Sequence, residues 1–173
     1  MTAPSITLAP LPADRREPFI RELQSSFAVA VVETYGPQEG EIIPRADIEQ
    51  SLDRPGAEAL EILLDGEAVG GAVVTADRAA GRGSLDLLYL RQTCHSRGIG
   101  LAAWRAVEAR YPEVVLWETI TPYFEQRNIH FYVNKCGFQI VEFFNPHHRD
   151  PAEPGDGVGR DCYFRFEKRL PRP

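Results

Sequence analysis

SLDLLYLRQTCHSRGIGLAAWRAVEARY, residues 84–111, joins an apolar run to a glycine-punctuated turn and then to a second apolar run. Leu85 to Leu90 has the length and composition of a buried strand. A polar loop follows and closes in His95-Ser96-Arg97-Gly98-Ile99-Gly100, after which Leu101, Trp104 and Val107 continue as a helix. The first turn of a helix leaves backbone N–H groups unpaired and carries partial positive charge, so it is a natural seat for phosphate. Glycines at 98 and 100 let backbone approach such an anion without side chains in the way, and Arg97 adds a fixed positive charge. The ligand expected here contains a phosphate or a pyrophosphate.

Two known arrangements place a strand, a Gly-x-Gly turn and a helix in this order. Gly98-Ile99-Gly100-Leu101-Ala102-Ala103 satisfies the dinucleotide fingerprint G-x-G-x-x-G/A, and Glu118 lies about 20 residues on, where that fingerprint wants an acid. The context argues against it. A dinucleotide turn follows its strand directly, whereas Arg91 to Arg97 intervene here, and too little chain follows for the second half of a doubly wound fold.

Leu88 to Gly100, LYLRQTCHSRGIG, instead resembles the cofactor segment of the GNAT superfamily of N-acetyltransferases: a hydrophobic strand, a short loop, then Arg/Gln-x-x-Gly-x-Gly/Ala opening a helix. Both glycines match, and His95 stands where the family usually has Arg or Gln. The resemblance implies that His95, Ser96, Arg97, Gly98, Ile99 and Gly100 hold the pyrophosphate of acetyl-coenzyme A. It also implies that the backbone of Leu90 and its neighbours pairs with the pantetheine arm as a strand would.

Composition narrows the class. A chain of 173 residues suits one domain with a full core, and 43% hydrophobic with 25% charged residues is ordinary for a globular protein. A net charge of −6 without a basic run makes nucleic acid and anionic membranes unexpected partners and favours a cationic acceptor. No apolar run reaches the roughly 18 residues of a membrane helix, and Met1-Thr2-Ala3-Pro4 begins no signal peptide. Cys94, Cys136 and Cys162 are odd in number and follow no metal spacing, so reduced thiols in a cytoplasmic protein are expected.

Along the chain, Ile6 to Leu8 reads as a short strand, and Asp14 as the N-cap of a helix carrying Phe19, Ile20, Leu23, Phe27 and Val31. That helix should stop before Gly36-Pro37, followed by an acidic loop with Glu33, Glu39 and Glu41 and a second helix from Arg45 to Leu52. Glu58 to Leu64 and Ala68 to Thr75 flank Asp65-Gly66, a strong hairpin signal, and Arg78 to Gly83 turns into the strand Leu85 to Leu90. The helix after Gly98 is apolar nearly all round and should be buried, with Trp104 a core residue. It should cross to a parallel strand at Val114 to Thr119. A helix near Phe124 to Lys135, a strand at Phe138 to Phe144, a Pro/Gly-rich loop at about 145–161 and a last strand at Cys162 to Glu167 complete the chain. This order is similar to that of GNAT domains: one α/β (α+β) domain with a mixed, mostly antiparallel sheet flanked by helices.

The resemblance extends to Asn128-Ile129-His130-Phe131-Tyr132-Val133-Asn134-Lys135-Cys136-Gly137-Phe138, similar to the family's second motif. It implies that Tyr132 protonates the leaving thiolate and that Asn128 touches pantetheine. The common pattern has tyrosine four residues before the glycine; here it is five, which a helix bulge would absorb. Without a bulge Val133 takes that position, and Tyr123 or Tyr89 becomes the substitute acid. Glu118, at the end of its strand, is the candidate base for the amine, and Asp86 its rival; each reads equally as an ion-paired surface carboxylate, Asp86 with Arg82. His147, His148 and Asp150 invite a metal reading that no ligand spacing supports. Together these features lead to an acetyl-coenzyme A-dependent transfer of acetyl to a primary amine of a small molecule or peptide, with a homodimer open. A non-catalytic acyl-coenzyme A sensor and, more distantly, a nicotinamide-dinucleotide oxidoreductase are the alternatives.

Overall fold

The computed structural model describes residues 5–95, 98–152 and 162–172. Seven strands form one sheet: β1 (Ile6–Pro10), β2 (Ala57–Leu64), β3 (Glu67–Asp77), β4 (Arg82–Leu90), β5 (Leu116–Pro122), β6 (Gln139–Phe144) and β7 (Tyr163–Arg169). Their order is β1-β2-β3-β4-β5-β7-β6, and every neighbouring pair is antiparallel except β4 and β5. A single parallel pair flanked by antiparallel ladders is incompatible with a doubly wound dinucleotide fold. The mixed, mostly antiparallel architecture read from the sequence is the one found.

Local chemistry explains the meander β2-β3-β4. Asp65 and Gly66 both take positive φ, 50° and 89°, as a two-residue hairpin turn of the kind favoured by the right-handed twist of its strands requires. Further on, β3 and β4 slip by one residue: Val73 faces Leu87 and Val74 faces Leu85, leaving Asp86 as the extra residue of a bulge. The bulge changes which face each side chain meets. Leu85 packs with the core on one side of the sheet, whereas Leu87 and Tyr89 pack on the other.

Two helical layers cover the sheet. On one face α1 (Arg16–Tyr35) and α2 (Arg45–Asp53) bury Phe19, Ile20, Leu23 and Ile48 against Val73 and Tyr89. On the other, α3 (Ile99–Arg110) buries Trp104 and Val107 against Val74, Leu85 and Trp117, with the Trp104 and Trp117 rings 5.2 Å apart, edge to face. Trp104 is thus core, as its all-apolar helix foretold.

Two local expectations change. Asp14 lies in a short 3₁₀ turn, Ala13–Arg15, and makes no side-chain cap; the helix start is held by backbone bonds such as Arg15 N–H to Pro12 O, 3.0 Å. Glu33 belongs to the last turn of α1 rather than to the following loop. After β5 the chain forms α4 (Gln126–His130) and continues directly as a π turn, Phe131–Lys135, in which Cys136 N–H reaches back five residues to Phe131 O at 3.0 Å. This is the bulge that the long spacing from Tyr132 to Gly137 called for.

Candidate active site

The parallel strands β4 and β5 pair at only three positions, Arg82 with Leu116, Gly83 with Trp117 and Ser84 with Glu118. Beyond Ser84 they part, and among the described residues the flank of Leu85 to Leu90 turned toward β5 meets no strand. At the root of this split Thr119 reaches across instead, its hydroxyl donating to Leu85 O at 2.9 Å. The split opens into a cleft of about 1270 Å³ walled by α1, the carboxyl end of β4, the start of α3 and α4 with its π turn.

Gly98 caps α3 in the left-handed region, φ 72°, where a β-carbon is strained. Among the described residues no side chain caps the helix and no acid lies in its first turn, and Gly98 to Leu101 line the cleft. Gly100 also lines the cleft, and a β-carbon there would stand 3.1 Å from the Phe131 ring and 3.6 Å from Leu90 Cδ1. The absence of that carbon keeps the passage between α3 and α4 open. Ile99 contributes backbone alone, because its side chain is buried with Ile62, Val69 and Ala103. His95 lines the cleft but folds back: its Nε2 lies 3.1 Å from Leu90 O, so the hydrogen in that contact is on Nε2. Leu90 O also accepts from Ser26 of α1 at 3.4 Å. Ser96 and Arg97, both expected in the anion loop, lie outside the described residues.

Tyr132 borders the cleft from the π turn and is only 7% exposed, with the Phe138 and Phe166 rings 5.6 and 5.8 Å away. Burial pushes its hydroxyl well above the usual phenol range, the neighbouring Cys136 adds to this, and a hydrogen bond with Thr119 opposes it. Tyr132 therefore stays protonated at neutral pH, the state an acid needs. The substitutes are less suited. Tyr123 is 56% exposed and packs on Phe143 and Phe164 away from the cleft, and Tyr89 lines the cleft but donates its hydroxyl proton to Glu22 at 2.9 Å.

The expected bases are placed otherwise. Glu118 does not line the cleft: it lies on the opposite face of β5 from Thr119, with its carboxylate 3.1 Å from Arg165 and 3.5 Å from Arg82. Strand alternation is the reason, since Trp117, Thr119 and Thr121 all turn to the α3 side. Asp86 is likewise outside the cleft, bonded by Thr75 and Ser84 at 2.5 Å each and 3.6 Å from Arg54 rather than paired with Arg82. Of the early acids only Glu33 reaches the cleft wall; Glu41 accepts from Arg45 N–H at 3.0 Å. His148 pairs with Glu142 at 2.8 Å and stacks on Phe144.

Glu125 was not singled out by sequence. It precedes α4, lines the cleft and is 7% exposed, and Asn128 donates its side-chain amide to it. Desolvation pushes Glu125 above the usual carboxylate range, and the Asn128 bond offsets this only in part. The signal was present as spacing: 125, 128 and 132 stand three and seven apart, on one helix stripe.

A profile of the acetyltransferase (GNAT) family matches residues 18–138. The protein YrkN of Bacillus subtilis is 51% identical over 158 residues, covering 87% of this chain and 85% of its own. Among solved structures, an acetyltransferase of Thermus thermophilus superposes with a TM-score of 0.68 at 19% identity, covering 98% of this chain and 100% of that one. The PaiA N-acetyltransferase of Thermoplasma acidophilum, solved with coenzyme A, gives 0.68 at 17% over 96% and 99%. A GNAT acetyltransferase of Elizabethkingia anophelis with acetyl-coenzyme A bound gives 0.64 at 18% over 95% and 98%. At these identities the superpositions establish a shared fold.

Proposed function

Because this chain belongs to the GNAT acetyltransferase family, we propose that it transfers the acetyl group of acetyl-coenzyme A to a primary amine of a small molecule or peptide, by direct attack. The carrying observation is that, among the described residues, the cleft opened by the parting of β4 and β5 has a helix N-terminus without a side-chain cap and the buried Tyr132 in its walls. In this reading the backbone N–H groups from Gly98 to Gly100 take the pyrophosphate, with the charge of Arg97 in support. Pantetheine carries two amides, and the strand-free flank of β4 up to Leu90 offers them peptide-like partners. Asn128 and the loop at His95 border the same arm. When the amine attacks the thioester carbonyl and the C–S bond breaks, Tyr132 hands its proton to sulfur. The net charge of −6 favours an ammonium acceptor over an anionic one.

Calorimetric titration with acetyl-coenzyme A, coenzyme A and NADH, followed by a thiol-release screen of primary amines, tests this reading. Binding of the coenzyme A forms together with amine-dependent thiol release supports it. Binding without release for any amine makes the protein an acyl-coenzyme A sensor, and no binding removes the reading altogether. Among the described residues no helix is long and apolar enough to cross a membrane.

A further inference from the structure

Direct transfer to an ammonium leaves one proton to be accounted for, and the geometry points to Glu125 as the group that accepts it. This inference rests on the N-acetyltransferase reading. Four carboxylates are candidates by position. Glu118 and Asp86 stand outside the cleft, each already bonded to at least two partners. Glu33 lines the cleft, but its side chain is 54% exposed and reaches toward Arg127 at 3.7 Å. Glu125 combines burial with a place in the cleft wall, and among the described residues its carboxylate is held through one amide donor, that of Asn128, with no cation paired to it. Asn128 donates to Oε2 of that carboxylate.

An anion buried on a neutral donor is costly for a fold to keep, and such groups concentrate where chemistry uses them. Burial raises the basicity of Glu125 toward what an ammonium donor requires, and its charge is one of those that raise Tyr132. The two side chains thus share a wall and sense one another, with opposite tasks. The ammonium gives one proton to Glu125, and the freed lone pair forms the C–N bond to the thioester carbonyl. As the C–S bond breaks, sulfur takes the Tyr132 proton. The second nitrogen proton restores Tyr132, and Glu125 releases its own to water. Among the described residues, the other ionisable groups of the cleft wall are Glu33 on α1, Tyr89 on β4, Cys94 and His95 after β4, and Arg127, His130 and Lys135 on α4 and its π turn.

The test takes the best primary amine from the thiol-release screen and compares wild type with Glu125→Gln and Glu125→Asp. Glu125→Gln should lower kcat about 100- to 1,000-fold, within the range of a lost proton-transfer group, with acetyl-coenzyme A affinity by calorimetry within about threefold. Its deficit should shrink as pH rises toward the amine's own pKa, because free amine then needs no base; Glu125→Asp should recover part of the rate. Because the amide is isosteric and removes a buried charge, the variant should melt no lower than wild type at neutral pH, which keeps a kinetic loss distinct from misfolding. If wild type turns over and Glu125→Gln matches it, or loses cofactor affinity in step with kcat, Glu125 is a wall of the cofactor site and the inference falls while the transferase reading stands. If wild type binds acetyl-coenzyme A yet acetylates no amine, both fall.

Discussion

Strand β4 has two unlike flanks. Toward β3 it pairs along nearly its whole length, from Arg82 opposite Asp77 to Leu90 opposite Gly70, with only the Asp86 bulge interrupting the ladder. Toward β5 it pairs for three residues and then stands free. The first flank belongs to a core in which Leu60, Ala72 and Val74 are fully buried. The second is bordered by Gly98, Gly100, Tyr132 and Glu125. One strand thus serves as the centre of the fold on one side and as the floor of the cleft on the other. Changes on the two flanks should therefore separate stability from ligand binding.

The largest effect belongs to the paired flank. Leu60→Ala removes a fully buried side chain and should cost about 2–5 kcal/mol, read as a lower midpoint in chemical denaturation, with acetyl-coenzyme A affinity of the folded protein unchanged. A comparable loss of affinity would mean that the two flanks are not independent. Gly100→Leu does the reverse. Its side chain would fill the passage beside Phe131 and weaken acetyl-coenzyme A binding by 100-fold or more, about 2.7 kcal/mol; unchanged affinity by calorimetry removes the anion loop from the account.

Tyr132→Phe tests the chemistry of the open flank without reshaping it. Turnover should fall roughly 100-fold while cofactor affinity stays within a factor of about three, and full activity in steady-state assays would pass the acid's role to another group or to water. Glu22→Gln loosens the pin between α1 and the end of β4, where Glu22 meets Tyr89 at 2.9 Å and Arg91 at 2.7 Å. A loss of about 1 kcal/mol is expected, visible as a small drop in melting temperature.

The smallest effect is read from the acid limb of the stability-pH curve. Burial tends to raise Glu58, but hydrogen bonds from Arg110 and Tyr111 outweigh it and hold the carboxyl below its usual range. Its folded pKa thus lies below its unfolded one, so its stabilisation is present above about pH 4.3 and is lost as pH falls through the lower folded value. Glu58→Gln should flatten that limb of the stability-pH curve by lowering stability slightly at neutral pH, and leave stability below the folded pKa of Glu58 nearly unchanged.

What could be read in advance follows the range of the interaction. The Asp65-Gly66 turn, the glycines at 98 and 100 and the extra residue after Tyr132 are local signals, each carried by a few neighbouring positions. They yielded the meander, the glycine turn that opens α3 and the helix bulge. Glu118 was misplaced because its surroundings are set by Arg165, 47 positions away, and by the face β5 turns toward β7. Asp86 found Arg54 on the far side of a hairpin rather than nearby Arg82. Glu125 escaped notice because burial of a carboxylate is a tertiary fact: its stripe with Asn128 and Tyr132 was legible, but the walls that remove it from water were not.

The π turn at Phe131–Lys135 also acts as a phase shifter. An α-helix turns about 100° per residue, so one residue looped out re-aims all that follows relative to all that precedes it. Up to the second residue of the turn, the chain keeps the spacing that sets Glu125, Asn128 and Tyr132 on one side; downstream, Phe138 N–H still reaches Tyr132 O at 2.9 Å and the chain enters β6 on time. Shortening the chain by Val133 or Asn134 would therefore act as a rotation of the cleft wall against the sheet, leaving composition and hydrophobic pattern nearly untouched.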